Sequence, residues 1–195
     1  TTSDPEAPKH IVDEDLLLGT CVDTEADGSP EAMAGLMQGG DDADAGLATF
    51  GTCGTAGDDE DGIVFVTPMI PGSEACIEVT AVNNKGVDAV LQMWVDWNGD
   101  GSFDAGEEVA FTSTNGNAIP DGGVNAELYC FDVPADAAFR EGAAFVRFRL
   151  SEDGGLAPDS QTGVVPFGEI EDYKLPLSNC WADLARSGQH AWYCG

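Results

Sequence analysis

Between Asp96 and Glu107 the chain reads D-W-N-G-D-G-S-F-D-A-G-E, which meets the pattern D-x-[DN]-x-[DN]-G-x5-E at every specified position. That spacing is what a calcium ion asks of a short loop. Ca²⁺ takes about six to eight oxygens, and carboxyl or amide side chains at alternate positions wrap them round the ion. In this reading Asp96, Asn98 and Asp100 supply side-chain oxygens and Ser102 a main-chain carbonyl. Asp104 binds directly or through water, and Glu107 closes the shell with both carboxylate oxygens. Gly101 falls where the loop must turn sharply, in a backbone conformation few other residues tolerate. A polar Asp/Asn/Gly turn without metal would draw on the same residue types, but it would not require so many conforming positions.

The flanks say which elements hold the loop. Leu91-Gln92-Met93-Trp94-Val95 before it and Glu108-Val109-Ala110-Phe111-Thr112 after it are rich in strand formers, unlike the helices that flank an EF-hand loop. The expectation is a β-hairpin whose turn is pinned by the ion. Seven strands are expected, over 63–67, 75–83, 89–97, 108–112, 126–133, 144–151 and 169–177, separated by Gly/Pro/Asn/Asp turns. Strands without intervening helices predict an all-β fold, an antiparallel β-sandwich of jelly-roll or immunoglobulin-like type with long acidic loops. Two short helices are also expected. Ser29-Pro30-Glu31 starts one that Gly39-Gly40 stops, and the other spans 181–187 before Gly188.

Composition bounds the partners. Thirty-six acids against seven bases leave a net charge of −29 on 195 residues, which disfavours nucleic acid and anionic lipid and suits cations or a salty medium. With 43% hydrophobic residues the chain can bury a sizeable core. No apolar run is long enough to span a membrane, so membrane insertion is not expected. Six cysteines with no C-x-x-C pair suggest disulfides, with free buried thiols as the alternative. Sequence alone does not choose among the pairings; the arrangement expected is Cys21–Cys53, Cys76–Cys130 and Cys180–Cys194. Disulfides imply an oxidising compartment and a secreted protein, with Thr1 as a processed N-terminus.

With these segments laid out, the chain resembles the GEVED domain of bacterial secreted and surface proteins. The matching pieces are Leu18-Gly19-Thr20 with Val22-Asp23-Thr24-Glu25, then 57–62 (G-D-D-E-D-G), 94–101 (W-V-D-W-N-G-D-G), Arg147-Phe148-Arg149-Leu150-Ser151, and Gly168-Glu169-Ile170-Glu171-Asp172-Tyr173. The last carries Ile where the family's name has Val. The resemblance covers 18–177 and implies a secreted β-sandwich module, of a kind found in adhesins and beside catalytic domains. It brings no established catalytic residues. Residues 1–17, an N-terminal extension, and 178–195, a cysteine-closed tail, lie outside it.

On the strand carrying the name motif, Glu169 and Glu171 share a face with Tyr173, Leu175 and Leu177. If that face points inward, the two carboxylates need a cation. Arg147 or Arg149 would make an ion pair; a second calcium shared with Asp59 or Asp61 is the other reading.

Three function classes remain. An enzyme has the least support: His10 and His190 lie near the chain ends, and neither H-E-x-x-H nor G-x-S-x-G occurs. A carbohydrate-binding accessory module would use Trp94, Trp97, Trp181 or Trp192 as glycan platforms, although Trp94 and Trp97 fall on opposite strand faces. A self-associating subunit of a surface filament or pilus-like stalk would dock its N-terminal extension as a strand on a neighbour, with Ile11-Val12 and Leu16-Leu17-Leu18 filling pockets. Packing of that segment on its own domain is the alternative. The expectation is a non-enzymatic, extracellular, calcium-stabilised structural or adhesive protein, partnered by copies of itself, by other surface proteins or by glycans.

Overall fold

A computed structural model describes residues 13–23, 49–51, 61–138, 143–154 and 167–176. Its strands are β1 (Leu16–Leu18), β2 (Cys21–Asp23), β3 (Thr49–Gly51), β4 (Ile63–Phe65), β5 (Glu74–Asn83), β6 (Ala89–Val95), β7 (Ala118–Ile119), β8 (Val124–Asp132), β9 (Ala143–Ser151) and β10 (Gly168–Pro176). Every pairing between them is antiparallel. The all-β expectation holds for this part of the chain. Both expected helices, over 30–38 and 181–187, lie outside the described residues. The helical element among the described residues is one 3-10 turn, Ala105–Glu107.

Alternation builds the sheets. In β5, Ala75, Ile77, Val79 and Ala81 are buried, while the residues between them face outward. β5 is the spine of the first sheet. Ile77 stands between Phe65 and Tyr129, and Ala81 between Leu18 and Val124. So β8 runs along one edge of β5, and β4 and β1 share the other edge end to end. The second sheet runs β10-β9-β6-β7, and β2 and β3 form a separate two-stranded ribbon. One hydrophobic core takes side chains from both four-stranded sheets: Leu16, Leu18, Phe65, Ile77 and Phe131 from the first, and Leu91, Met93, Val146, Phe148 and Tyr173 from the second. Tyr173 meets Phe65 and Phe148 edge-on across that core. Tyr129 is fully buried, its hydroxyl donates to the Ala118 carbonyl at 2.9 Å, and burial pushes its pKa up to about 12.

Cys76 and Cys130 face each other across β5 and β8 and form the expected disulfide, on the outer side of the first sheet. Cys21 is also disulfide-bonded. Its expected partner Cys53, and the expected Cys180–Cys194 pair, lie outside the described residues.

The Leu16-Leu17-Leu18 run pairs with β5 of its own chain, and all three leucines are buried there. The extension is therefore not separable at residue 17, since β1 straddles that boundary. Residues 1–12, including Ile11-Val12, lie outside the described residues. Lys85 fixes the approach to β1: its Nζ lies 2.7 Å from Asp13, 3.0 Å from Glu152 and 4.0 Å from the centre of the Phe167 ring. The ammonium holds the Asp13 carboxyl below the usual carboxylate range, and the two acids in turn raise the lysine.

Candidate metal centre

The loop begins where β6 ends. Asp96 donates its N–H to the Phe145 carbonyl at 3.1 Å, which ties the first loop residue to β9. Its carboxylate turns back into the loop: Oδ1 accepts from Asp100 N–H at 3.1 Å and Oδ2 from Gly101 N–H at 2.9 Å. Asn98 Oδ1 accepts from Asp100 N–H, and Asp100 Oδ1 from Ser102 N–H. Glu107 closes the ring from the far end, its two oxygens accepting from Asn98 N–H at 3.2 Å and Asp104 N–H at 3.0 Å. Gly99 and Gly101 have φ of 70° and 89°, the left-handed conformation that a side chain would strain.

Asp96 and Glu107 are the loop's buried acids, at 2% and 6% exposure. Among the described residues no Lys or Arg pairs with either; the ion pairs are Lys85–Asp13, Lys85–Glu152 and Arg147–Asp172. Two buried carboxylates in one loop are costly without a cation, which is the respect in which the residues fit calcium. Asn98, Asp100, Ser102 and Asp104 are exposed. Three acidic oxygens do not converge within 4.8 Å in the loop, so ligation requires Asp100 or Asp104 to turn inward. Among the described residues such a group occurs at Glu74, Cys76 and Cys130, where the disulfide occupies both sulfurs.

The exit from the loop departs from the expected hairpin. Residues 108–112 form no strand. Glu108 makes a single bridge to Trp94, Val109 N–H reaches the Met93 carbonyl, and Phe111 then bridges to Phe131 of the first sheet. This segment crosses from one sheet to the other. The physical reason lies in Val109 and Phe111, which pack on the shared core while Phe111 meets Tyr129 and Phe131 edge-on.

The loop also covers the outer face of the second sheet. Trp94, Arg147 and Asp172 stand in register across β6, β9 and β10 on that face. Arg147 grips Asp172 with two hydrogen bonds, at 2.7 and 2.6 Å, and the Phe103 ring lies 5.1 Å from its guanidinium carbon. Gln92 donates to Glu108 at 2.8 Å. Trp94 is fully buried there, and Trp97 joins the core at 9% exposure. Neither is an exposed platform; Trp181 and Trp192 lie outside the described residues.

Glu169 and Glu171 project from the opposite, inner face of β10. Glu171 stands across from Phe148 and Arg147 across from Asp172, so the expected Arg147–Glu171 pair does not form. Arg149, in line with Ile170, is likewise on the outer face, fully buried. The inner carboxylates go instead to backbone donors of the other sheet. Glu169 accepts from Leu18 N–H at 2.5 Å, and Glu171 from Gly62 N–H and the Tyr173 hydroxyl, both at 3.0 Å.

Those donors sit where β1 ends and β4 begins. At that joint Thr80 of β5 receives Gly19 N–H on its carbonyl and donates its own N–H to the Gly62 carbonyl. Asp61 accepts from both the N–H and the hydroxyl of Thr20, at 3.0 and 2.7 Å. The joint admits only glycine: a Cβ on Gly62 would lie 2.6 Å from Leu18 Cβ, and one on Gly19 1.5 Å from Asp61 Oδ1. Asp61, Glu169 and Glu171 thus meet the same joint without drawing together as a ligand group. Asp59 lies outside the described residues. The Leu18 and Gly62 amides were not among the expected partners of these carboxylates, and the glycines at 19 and 62 mark the close approach only once the joint is known.

Fold and site together define an antiparallel all-β domain with an acidic loop that follows β6 and lies against the outer face of the second sheet. Residues 90–176, the span that holds β9 and β10 and nearly all of β6, match the GEVED domain. The joint that β10 holds is formed by β1, β4 and β5, which precede the matched segment. No curated protein and no solved structure matches the chain.

Proposed function

We propose that this chain is a secreted, non-enzymatic, calcium-binding β-sandwich with a structural or adhesive role at a bacterial cell surface, associating with copies of itself or with other surface proteins. The observation that carries the calcium reading is the pair of buried carboxylates, Asp96 and Glu107, which close one loop without a basic partner among the described residues. Four backbone N–H groups hold these two carboxylates in place at the start and end of the loop, and an inward turn of Asp100 or Asp104 would add a third acidic ligand. The two sheets enclose one core as the layers of a sandwich do. The disulfide and the family are in keeping with an oxidising, extracellular setting, where calcium is abundant. Val64 and Leu128, 46% and 53% exposed on either side of Glu78, are two apolar side chains that the outer face of the first sheet offers to a partner.

Terbium, a calcium mimic, gives the direct test. Excitation of Trp97, the loop's second residue, is expected to sensitise saturable terbium luminescence that calcium displaces and equimolar magnesium does not. Absence of any sensitised emission would overturn the metal reading. Association is checked separately by sedimentation velocity over a range of concentrations: the boundary is expected to move to larger species as the concentration rises. A single monomeric boundary throughout would remove the self-association part.

A further inference from the structure

We infer, resting on the calcium reading above, that ion binding in the Asp96–Glu107 loop is coupled to the docking of β1 and β4 at their joint, with β10 as the connecting element. β10 receives one network on each face. On the outer face the loop presents Phe103 to Arg147, and Arg147 holds Asp172 with two hydrogen bonds. On the inner face the neighbouring residues Glu171 and Glu169 hold the Gly62 and Leu18 amides. The contacts are continuous from the loop to the joint, and the final links are hydrogen bonds to buried backbone donors.

Each end has a way to respond. Without an ion, Asp96, Asp100, Asp104 and Glu107 repel one another, and the loop that carries Phe103 is loosened. At the other end β1 is a three-residue strand paired along β5, and exchange at its amides reports how firmly it is docked. An ion that fixes Phe103 over Arg147 fixes the Arg147–Asp172 grip, the setting of β10 and the two carboxylates beneath it. Coupling of this kind is reciprocal, so a docked β1 also tightens ion binding.

Amide hydrogen exchange on the full chain, followed by NMR with calcium and with chelator, reads this directly. In the wild type, calcium is expected to slow exchange at Asp100 and Gly101 in the loop, and also at Leu18 and Gly62 by about five-fold, the low end of measured couplings. In Phe103→Ala, and independently in Asp172→Asn, the loop amides still respond while the Leu18 and Gly62 response falls below about two-fold. Gly72, whose N–H bonds the Val133 carbonyl away from the joint, is the reference for global stabilisation. Equal slowing at Gly72, Leu18 and Gly62 that survives both substitutions would overturn the coupling. So would a response confined to the loop. No calcium response at Asp100 and Gly101 would instead sink the calcium reading, and the coupling with it.

Discussion

Chelating calcium is expected to lower the melting temperature of the intact protein by about 5–10 °C, and Asp100→Ala to abolish most of that difference. The size follows from linkage. An ion present at about 100 times its Kd stabilises the state that binds it by about 2.7 kcal/mol. For a chain of this length each kcal/mol moves the melting temperature by roughly 2–4 °C. Asp100 is the right position to change because it is exposed and its carboxylate accepts only from Ser102 N–H within the loop. Losing it costs the unliganded fold little, so what disappears is the ion's share. Asp96 is the wrong position. It is buried and holds the Asp100 and Gly101 amides, so its removal damages the loop whether or not an ion binds. Differential scanning calorimetry with calcium and with chelator, on wild type and variant, decides the matter; indistinguishable wild-type melting in the two buffers excludes a stabilising ion.

The turn after β6 was legible because its signal is local: Asp96, Asn98, Asp100 and Glu107 fall within twelve consecutive residues. The long strands were legible for the same reason, since alternation in β5, β9 and β10 is a property of neighbours in sequence. The errors arise where tertiary structure decides. Glu108–Thr112 has strand-forming composition, yet Phe111 is drawn to the first sheet's core and the segment spans two sheets. β1 has only three residues, too short for a periodic signal, and its acidic surroundings suggested an extension. That Glu169 and Glu171 share a face of β10 with Tyr173 and Leu175 was legible from alternation, which left open the inward direction that the structure gives it. The partner was not, because backbone N–H groups at a joint between two distant segments leave no side-chain signature. Glycines at 19 and 62 record that approach only once the joint is known.

That joint makes the name motif's two glutamates sensitive structural positions. Replacing both, as Glu169→Leu with Glu171→Leu, preserves approximate volume but removes the acceptors for Leu18 N–H, Gly62 N–H and the Tyr173 hydroxyl. Each buried donor left unmade costs roughly 1–3 kcal/mol, so with three donors the double variant is expected to lose about 3–9 kcal/mol, a large share of a typical domain's total stability. Loss of charge cannot account for that alone, and Glu171→Gln separates the two effects. The amide keeps one carbonyl oxygen for Gly62 N–H, so the single Gln variant is expected to cost about 1 kcal/mol. Urea unfolding of the three proteins gives the ordering: wild type, then Glu171→Gln, then the double Leu variant far below. If the double Leu variant matches Glu171→Gln, the carboxylates are not what holds the β1–β4 joint to the second sheet. If it matches wild type, apolar packing of Leu18, Phe65 and Tyr173 suffices there, and the acidic motif requires a different physical account.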